Sequence, residues 1–457
     1  MLSIITILFT LVFGRFFCGW ICPLGSLNQC VSYFKKKLFR VRKYELYYRH
    51  QRIRYLLFIS LVVLALLGIN LVGIVDPLSF FSRGIIPVFQ NIAGRIFRIL
   101  QYLNIHFGIF ANDKFFYWIQ AYLGYFHPPY FRYAAITTFF LLLVLVVNLL
   151  VSRFWCLRVC PLGGCLGFLS AKGILNLSQP QDCQDCLECS RNCQGACDPH
   201  KRGEWKKQEC LYCWNCVVSC PQGTLRFGLG KKNKAEVLDL SRRQLIYSLG
   251  ALVIAAPLLK LGIKSQRLNP ELIRPPGSLE EDAFLRRCIR CGQCIKVCPS
   301  NFLHPTLLEA NLAGIWTPYA VGRLGFCKYD CNLCGRVCPT QAIRNLELRQ
   351  KQKIRIGTAC VDRNRCLPYA SGIACTLCSD NCPVPGNAIK LTQVIGSDSR
   401  HRGLALQAPS VDFKRCIGCG RCENVCPVKG PAAIYCTNTA EERLQNSRLL
   451  SYEFRTT

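Results

Sequence analysis

Four apolar runs punctuate this chain, at residues 1–17, 53–75 (IRYLLFISLVVLALLGINLVGIV), 131–152 (FRYAAITTFFLLLVLVVNLL and beyond) and 244–262 (QLIYSLGALVIAAPLLKLG). Runs near this length predict helices that cross a bilayer, although the first and last are short for a span. Residues 31–54 carry nine Lys and Arg against a single acid, Glu45. Basic loops stay in the cytoplasm, so the first helix is expected to run inward, the second outward and the third inward, with the fourth carrying the rest of the chain out. Between the second and third runs, GIIPVFQNIAGRIFRIL sets Ile85, Val88, Phe89, Ile92, Ile96, Phe97 and Leu100 at helical spacing opposite Gln90, Asn91, Arg95 and Arg98. That pattern predicts an interfacial amphipathic helix. The abrupt apolar start points to a further helix upstream.

Composition agrees with a membrane part, since 51% of the 457 residues are hydrophobic. The net charge of +31 raises the question of a nucleic-acid partner. The densest basic runs, KKKLFRVRK at 35–43 and KKNK at 231–234, lie near the apolar segments, so membrane orientation accounts for them and no nucleic acid is expected.

The 33 cysteines change the picture most. Cys183, Cys186, Cys189 and Cys193 are spaced C-x2-C-x2-C-x3-C, and Cys210, Cys213, Cys216 and Cys220 repeat the spacing. The pattern recurs at Cys288, Cys291, Cys294 and Cys298, at Cys327, Cys331, Cys334 and Cys338, at Cys366, Cys375, Cys378 and Cys382, and at Cys416, Cys419, Cys422 and Cys426, the middle two with longer first gaps. Paired runs of this kind form two-cluster ferredoxin modules in which the fourth cysteine of each run ligates the other cluster. Cys220 is then expected with the 183 run and Cys193 with the 210 run. Likewise Cys338 goes with the 288 run, Cys298 with the 327 run, Cys426 with the 366 run and Cys382 with the 416 run. Zinc also takes four cysteines, but from separated Cys-x-x-Cys knuckles and not from triplets closed by Cys-Pro. Six runs predict six [4Fe-4S] clusters. Strand-like pieces, PTQAIRNLEL, PVPGNAIKL and PVKGPAAIY, follow the last Cys-Pro pairs. The expected fold class is an α-helical membrane domain plus α+β ferredoxin-like modules binding [4Fe-4S] clusters.

Nine cysteines remain. FCGWICPLG at 17–25 and WCLRVCPLGG from Trp155 each hold a Cys-x-x-x-Cys-Pro, which puts Cys18 with Cys22 and Cys156 with Cys160 on one face of a helical turn. The four are candidates for a redox site, either a seventh cluster or two dithiols, against the plain alternative of two helix-end packing motifs. Cys30, Cys165, Cys197, Cys360 and Cys436 have no partner spacing and read as small core residues. The six histidines, His50, His106, His127, His200, His304 and His401, fall outside the apolar runs and no Cys-x-x-Cys-His is present, so intrinsic haem is not expected. Candidate proton acceptors beside the apolar runs are Asp76, His106, Asp113 and His127 on the outer side and Glu45 and His50 on the inner. SRRQLIYSLG at 241–250 looks like a twin-arginine export signal, with Leu245 where Phe is usual.

These residues resemble the iron-sulfur accessory subunits of periplasmic nitrate reductase systems. Residues 1–235 resemble the NapH type, through FCGWICPLG, WCLRVCPLGG and the 183–220 runs. Residues 241–436 resemble the NapG type, through SRRQLI, RPPG, FLRRCIRCGQCIKVCP and RCLPY, as if two partners were fused in order. The resemblance implies an electron-transfer or quinol dehydrogenase subunit. It would oxidise menaquinol from the quinone pool and pass electrons through [4Fe-4S] clusters to a periplasmic reductase or c-type cytochrome, among other subunits of a membrane complex. A conduit fed by a cytoplasmic ferredoxin, and a protein that keeps a periplasmic metal centre reduced, are the competing readings. The expected divisions are a membrane domain at 1–154, a cytoplasmic two-cluster module at 155–235, a membrane helix with the export signal at 241–263, a linker at 264–286, periplasmic two-cluster modules at 287–350 and 351–440, and a tail at 441–457. The expected location is the inner membrane, with 155–235 cytoplasmic and 264–457 periplasmic.

Overall fold

The computed structural model describes residues 2–39, 51–107, 132–178, 183, 186–200, 205–229, 242–266, 269–307, 309–395, 405–445 and 448–451. The chain divides into two compact units, one of Met1–Gly84 with Ala135–Ala256 and one of Ile85–Ala134 with Pro257–Thr457.

The membrane domain is not found among the described residues. Among the described residues no helix is long and apolar enough to cross a membrane. The first run is helical only over Leu2–Phe13, twelve residues, and stops at left-handed Gly14. The second forms Ile53–Leu66 and turns at Gly68, which is also left-handed. The third forms Ala134–Leu150, 17 residues, with left-handed Arg153 beyond it. At 1.5 Å per residue these helices reach about 18 to 26 Å, short of a hydrocarbon core about 30 Å thick. The fourth lies in the 25-residue helix Arg242–Gln266, which carries Arg242, Arg243, Lys260 and Lys264 and contains Pro257. The inner-membrane location and the sidedness drawn from counting spans fall with the spans. The amphipathic segment at 84–100 does form a helix, within the 31-residue Pro77–Phe107.

In the first unit, helices Leu2–Phe13 and Ile53–Leu66 both pack on Pro161–Ser170. Two short strands, Asn176–Ser178 and Arg226–Gly228, pair antiparallel on either side of the 183 and 210 runs in the sequence. The second unit repeats the arrangement with variations. Leu303–Pro305 pairs with Pro318–Ala320 between the 288 and 327 runs. Thr358–Val361 pairs with Ile434–Thr437, and Ile389–Ile395 with Ala405–Val411, around the 366 and 416 runs. Strands therefore follow Cys-Pro in PVPGNAIKL and PVKGPAAIY. PTQAIRNLEL gives only the isolated bridge of Ile343 to Ser278 and then enters helix Leu348–Lys353. One core gathers Phe284, Leu285, Ile343, Ile389 and Ile434 around cysteines of all four runs of this unit.

Candidate iron-sulfur centres

Each of the six runs builds the same local device. Its third cysteine is the second residue of a short helix: Glu188–Arg191, Asn215–Val218, Gln293–Lys296, Leu333–Arg336, Leu377–Asp380 or Arg421–Val425. In three runs the residues flanking the second cysteine are both left-handed: Tyr212 and Trp214, Arg290 and Gly292, Gly418 and Gly420. Left-handed turns of this kind make a concave backbone that aims N–H groups at an anion. Only the last of these runs uses glycine twice. Tyr212, Trp214 and Arg290 hold backbone strain of the sort stored at ligand sites.

Crosswise closure is visible in two cavities. Cys288, Cys291 and Cys294 line one together with Cys338, and Cys366, Cys375 and Cys378 line the other together with Cys426. Each encloses about 360 Å³ of empty space, counting its open mouth. Elsewhere the fourth cysteine acts electrostatically on the opposite run: Cys298 on Cys327 and Cys334, Cys382 on Cys416, and Cys193 on Cys213 and Cys216. In the 183 run, Cys183 and Cys186 act on Cys189. Cys220 contacts Thr224 Oγ1 at 3.4 Å. Among the described residues no group of three or more His, Cys, Asp or Glu is arranged to hold a single metal ion.

The donor chemistry fits [4Fe-4S] clusters. Backbone N–H groups of Phe302, Ile343, Ala359 and Ala433 donate to the sulfurs of Cys298, Cys338, Cys416 and Cys426 at 3.3, 3.4, 3.4 and 3.4 Å. Such bonds stabilise bound thiolate and tune cluster potential. Burial pushes Cys288 and Cys327 up to about 11. These thiols are protonated until iron displaces the proton.

The four sites of the second unit adjoin one another. Cys334 acts on Cys294, linking the 288 and 327 sites. The Cys327 N–H donates to Cys419 O at 2.7 Å and their thiols interact, linking the 327 and 416 sites. Cys422 acts on Cys378, linking the 416 and 366 sites.

In the first unit the two Cys-x-x-x-Cys-Pro motifs meet. Each lies on a single π-helical turn, Phe17–Ile21 and Trp155–Val159, closed by Cys22 N–H to Phe17 O and Cys160 N–H to Trp155 O, both 2.9 Å. Proline at the next position starts a new helix. Cys18, Cys22, Cys156 and Cys160 are all buried, and the thiols of Cys18, Cys22 and Cys156 all act on that of Cys160. Burial pushes Cys22 up to about 12 and raises Cys156.

Sequence reasoning missed the groups around these thiols. Arg15, Arg54 and Arg153 are at most 2% exposed. Arg15 Nη1 and Arg54 Nη2 pair with the buried carboxylate of Glu209, the first at 3.4 Å, and the Tyr55 hydroxyl donates to it at 2.8 Å. The signal was available three residues upstream of each pair, because RFFCGWICPLG at 15–25 and RFWCLRVCPLG at 153–163 both begin with arginine.

The other expected residues scatter. Asp76 accepts from Ser79 N–H at 2.8 Å and so caps helix Pro77–Phe107. His106 is exposed beside the Tyr102 ring. Glu45, His50, Asp113 and His127 lie outside the described residues. Of the unpaired cysteines, Cys30 is exposed and not a core residue. The Cys197 sulfur sits 3.4 Å from that of Cys193, and the Cys436 thiol is hydrogen-bonded with that of Cys422.

Fours of cysteine borne on short helices, with the partner run's fourth cysteine beside five of the six runs, define a ferredoxin-type electron-transfer protein that binds [4Fe-4S] clusters. A 4Fe-4S binding domain family matches residues 1–42 and 133–177, a 4Fe-4S dicluster domain matches 371–430, and a 4Fe-4S binding domain matches 285–304. The methylamine utilization ferredoxin-type protein MauM of Methylophilus methylotrophus is 37% identical over 207 residues, 44% of this chain and 88% of that one. Ferredoxin-type protein NapG of Escherichia coli K12 is 34% identical over 42% of this chain and 81% of its own. Ferredoxin-type protein NapF of Haemophilus influenzae is 32% identical over 36% and 80%. No solved structure matches. The chain belongs to the family of ferredoxin-type proteins that includes MauM and NapG.

Proposed function

We propose that the protein takes electrons from a quinol and passes them one at a time through six [4Fe-4S] clusters to a periplasmic redox partner, a reductase or a c-type cytochrome. The observation that carries the relay is the adjacency of the four sites in the second unit, where Cys334 acts on Cys294, the Cys327 N–H donates to Cys419 O and Cys422 acts on Cys378. Four adjoining sites suit sustained flow to a docked partner. The names of MauM and NapG, both ferredoxin-type proteins, support electron transfer as the role. The quinol as donor, and the fusion of a NapH-type with a NapG-type partner, rest on the resemblance of FCGWICPLG, WCLRVCPLGG and SRRQLI to those proteins.

In this reading the 24 cysteines of the six runs hold the clusters in the crosswise sets given above, three cysteines of each run with the fourth of its partner. The clusters supply one-electron chemistry. The chain supplies the spacing, the N–H donors to sulfur and a dry surround. The two-cluster modules occupy 155–235, 287–350 and 351–440.

The test is anaerobic addition of menaquinol to the full-length holoprotein, followed by electron paramagnetic resonance. Rapid cluster reduction, and reoxidation by an added c-type cytochrome, are expected. Clusters left oxidised by quinol but filled by a reduced ferredoxin overturn the donor assignment in favour of a conduit.

A further inference from the structure

We propose that Cys18, Cys22, Cys156 and Cys160 ligate an additional [4Fe-4S] cluster, which exchanges electrons with the Cys210–Cys216 site beside it. The inference deepens the reading above and rests on it for the neighbouring cluster.

Convergence is carried by hydrogen bonds as well as by the thiols themselves. Asn28, six residues after Cys22, donates from Nδ2 to the Cys156 sulfur at 3.6 Å. Gly163 N–H donates to the Cys160 sulfur at 3.3 Å. Arg54 Nη1 donates to Cys156 O at 3.4 Å, and Arg153 Nη2 to Gln29 Oε1 at 2.9 Å. The two motifs are thus stitched together across more than 120 residues of sequence.

Charge then narrows what the four sulfurs hold to an anionic metal centre. Three buried guanidinium groups, Arg15, Arg54 and Arg153, stand against one buried carboxylate, Glu209, leaving two positive charges without a counter-ion among the described residues. Arg15 Nε and Nη2, Arg54 Nε and Arg153 Nη1 have no hydrogen-bond partner. Arg15 acts electrostatically on Cys18 and Cys160, Arg153 on Cys156, and Arg54 on Cys18. Unpaired buried charge is strongly unfavourable. Two dithiols or two disulfides are neutral and leave it unbalanced. Four thiolates around an oxidised four-iron core of charge two plus carry two minus, which balances it. Zinc on four thiolates carries the same charge. The 4Fe-4S binding domain match, however, takes in both motifs and skips the intervening chain.

The route outward is short in contacts. Gly19, inside the first turn, lies so near Leu211 that a Cβ there would sit 2.8 Å from the Leu211 carbonyl oxygen. Trp20 Nε1 donates to Tyr212 O at 3.1 Å. Cys18 and Leu211 share a buried apolar contact with Leu166. Arg153 acts on Cys213 as well as Cys156, so one guanidinium serves both sites. A single electron crosses between them with no bond made or broken.

The experiment uses the full chain as anaerobically prepared holoprotein. Iron, acid-labile sulfide and zinc are counted per chain, beside a native mass measurement, for the wild type and for Cys22→Ser/Cys160→Ser. Iron and sulfide are each expected to fall by about four atoms, with the resonances of the ferredoxin-run clusters retained. Unchanged iron and sulfide, loss of one zinc without sulfide, or a Cys18–Cys22 or Cys156–Cys160 disulfide in the wild type each overturn the proposal. Should the double variant fail to fold, the native mass of the wild type decides: seven clusters support the site and six overturn it. Arg15→Gln gives a separate readout, because removing a nearby positive charge lowers the potential of one cluster alone, and no single-cluster shift counts against the assignment. Absence of every cluster from the wild type would overturn the proposed function itself.

Discussion

Asn28 Nδ2 donates to the sulfur of Cys156 at 3.6 Å, joining a residue just after the first Cys-x-x-x-Cys-Pro to the first cysteine of the second, 128 residues on. The Asn28 carbonyl in turn accepts from Asn148 Nδ2 at 3.0 Å, so the bridge is anchored from both sides. Asn28→Leu removes the donor while keeping the bulk. A loss of about 1–3 kcal/mol is expected from leaving a buried polar partner unmatched, read as a shift in the midpoint of denaturant unfolding.

Among the described residues, Glu209 is the only carboxylate found against Arg15 and Arg54. Glu209→Gln removes the carboxylate that both buried guanidinium groups share, and breaking a buried pair from one side costs about 3–5 kcal/mol. The unfolding midpoint should drop sharply. A change under about 0.5 kcal/mol, the size of an exposed pair, would contradict the buried network.

Crosswise ligation separates two single substitutions in one module. Cys338→Ser should abolish the cluster of the 288 run, with which it shares a cavity, and spare that of the 327 run. Cys298→Ser should do the reverse. Paramagnetic resonance of the two variants, with iron counts, distinguishes this from ligation run by run, which would exchange the two outcomes.

Gly19 has no room for a side chain, because its Cβ would meet the Leu211 carbonyl oxygen at 2.8 Å, and backbone cannot step aside as a side-chain tip can. Gly19→Ala should cost about 1–3 kcal/mol, the range for overpacking. It should also slow electron exchange between the thiol quartet and the 210 site, measured by freeze-quench after flash reduction.

His304 is fully buried and accepts at Nδ1 from Arg132 N–H at 3.3 Å, so its proton resides on Nε2, facing Asn301 O at 2.9 Å. Burial, aided by Arg132, pushes the imidazole down to about 4 from 6.5. The unfolded chain binds the proton first as pH falls. The neutral ring's contribution is therefore complete above pH 6.5 and lost between 6.5 and about 4. By about pH 5 the loss should reach about 2 kcal/mol. His304→Gln should lack this pH dependence in denaturant unfolding, and a parallel slope in both chains would refute the buried neutral ring.

Sequence alone determined the ferredoxin chemistry, because cluster ligation needs a residue type at a fixed spacing. Cys288, Cys291, Cys294 and Cys338 are grouped by spacing and the crosswise rule, and the four line one cavity. The membrane domain was misread because apolar run length is blind to where a helix stops. Left-handed Gly14 and Gly68 end two of the runs early, and Pro257 and Lys260 interrupt the last. Only the tertiary structure could decide what surrounds Cys18, Cys22, Cys156 and Cys160. The buried ion pair beside them joins Arg54 to Glu209, 155 residues apart, and their neighbour is a loop at Leu211 and Tyr212. Burial, charge balance and close approach are properties of chain segments brought together, and no local pattern encodes them.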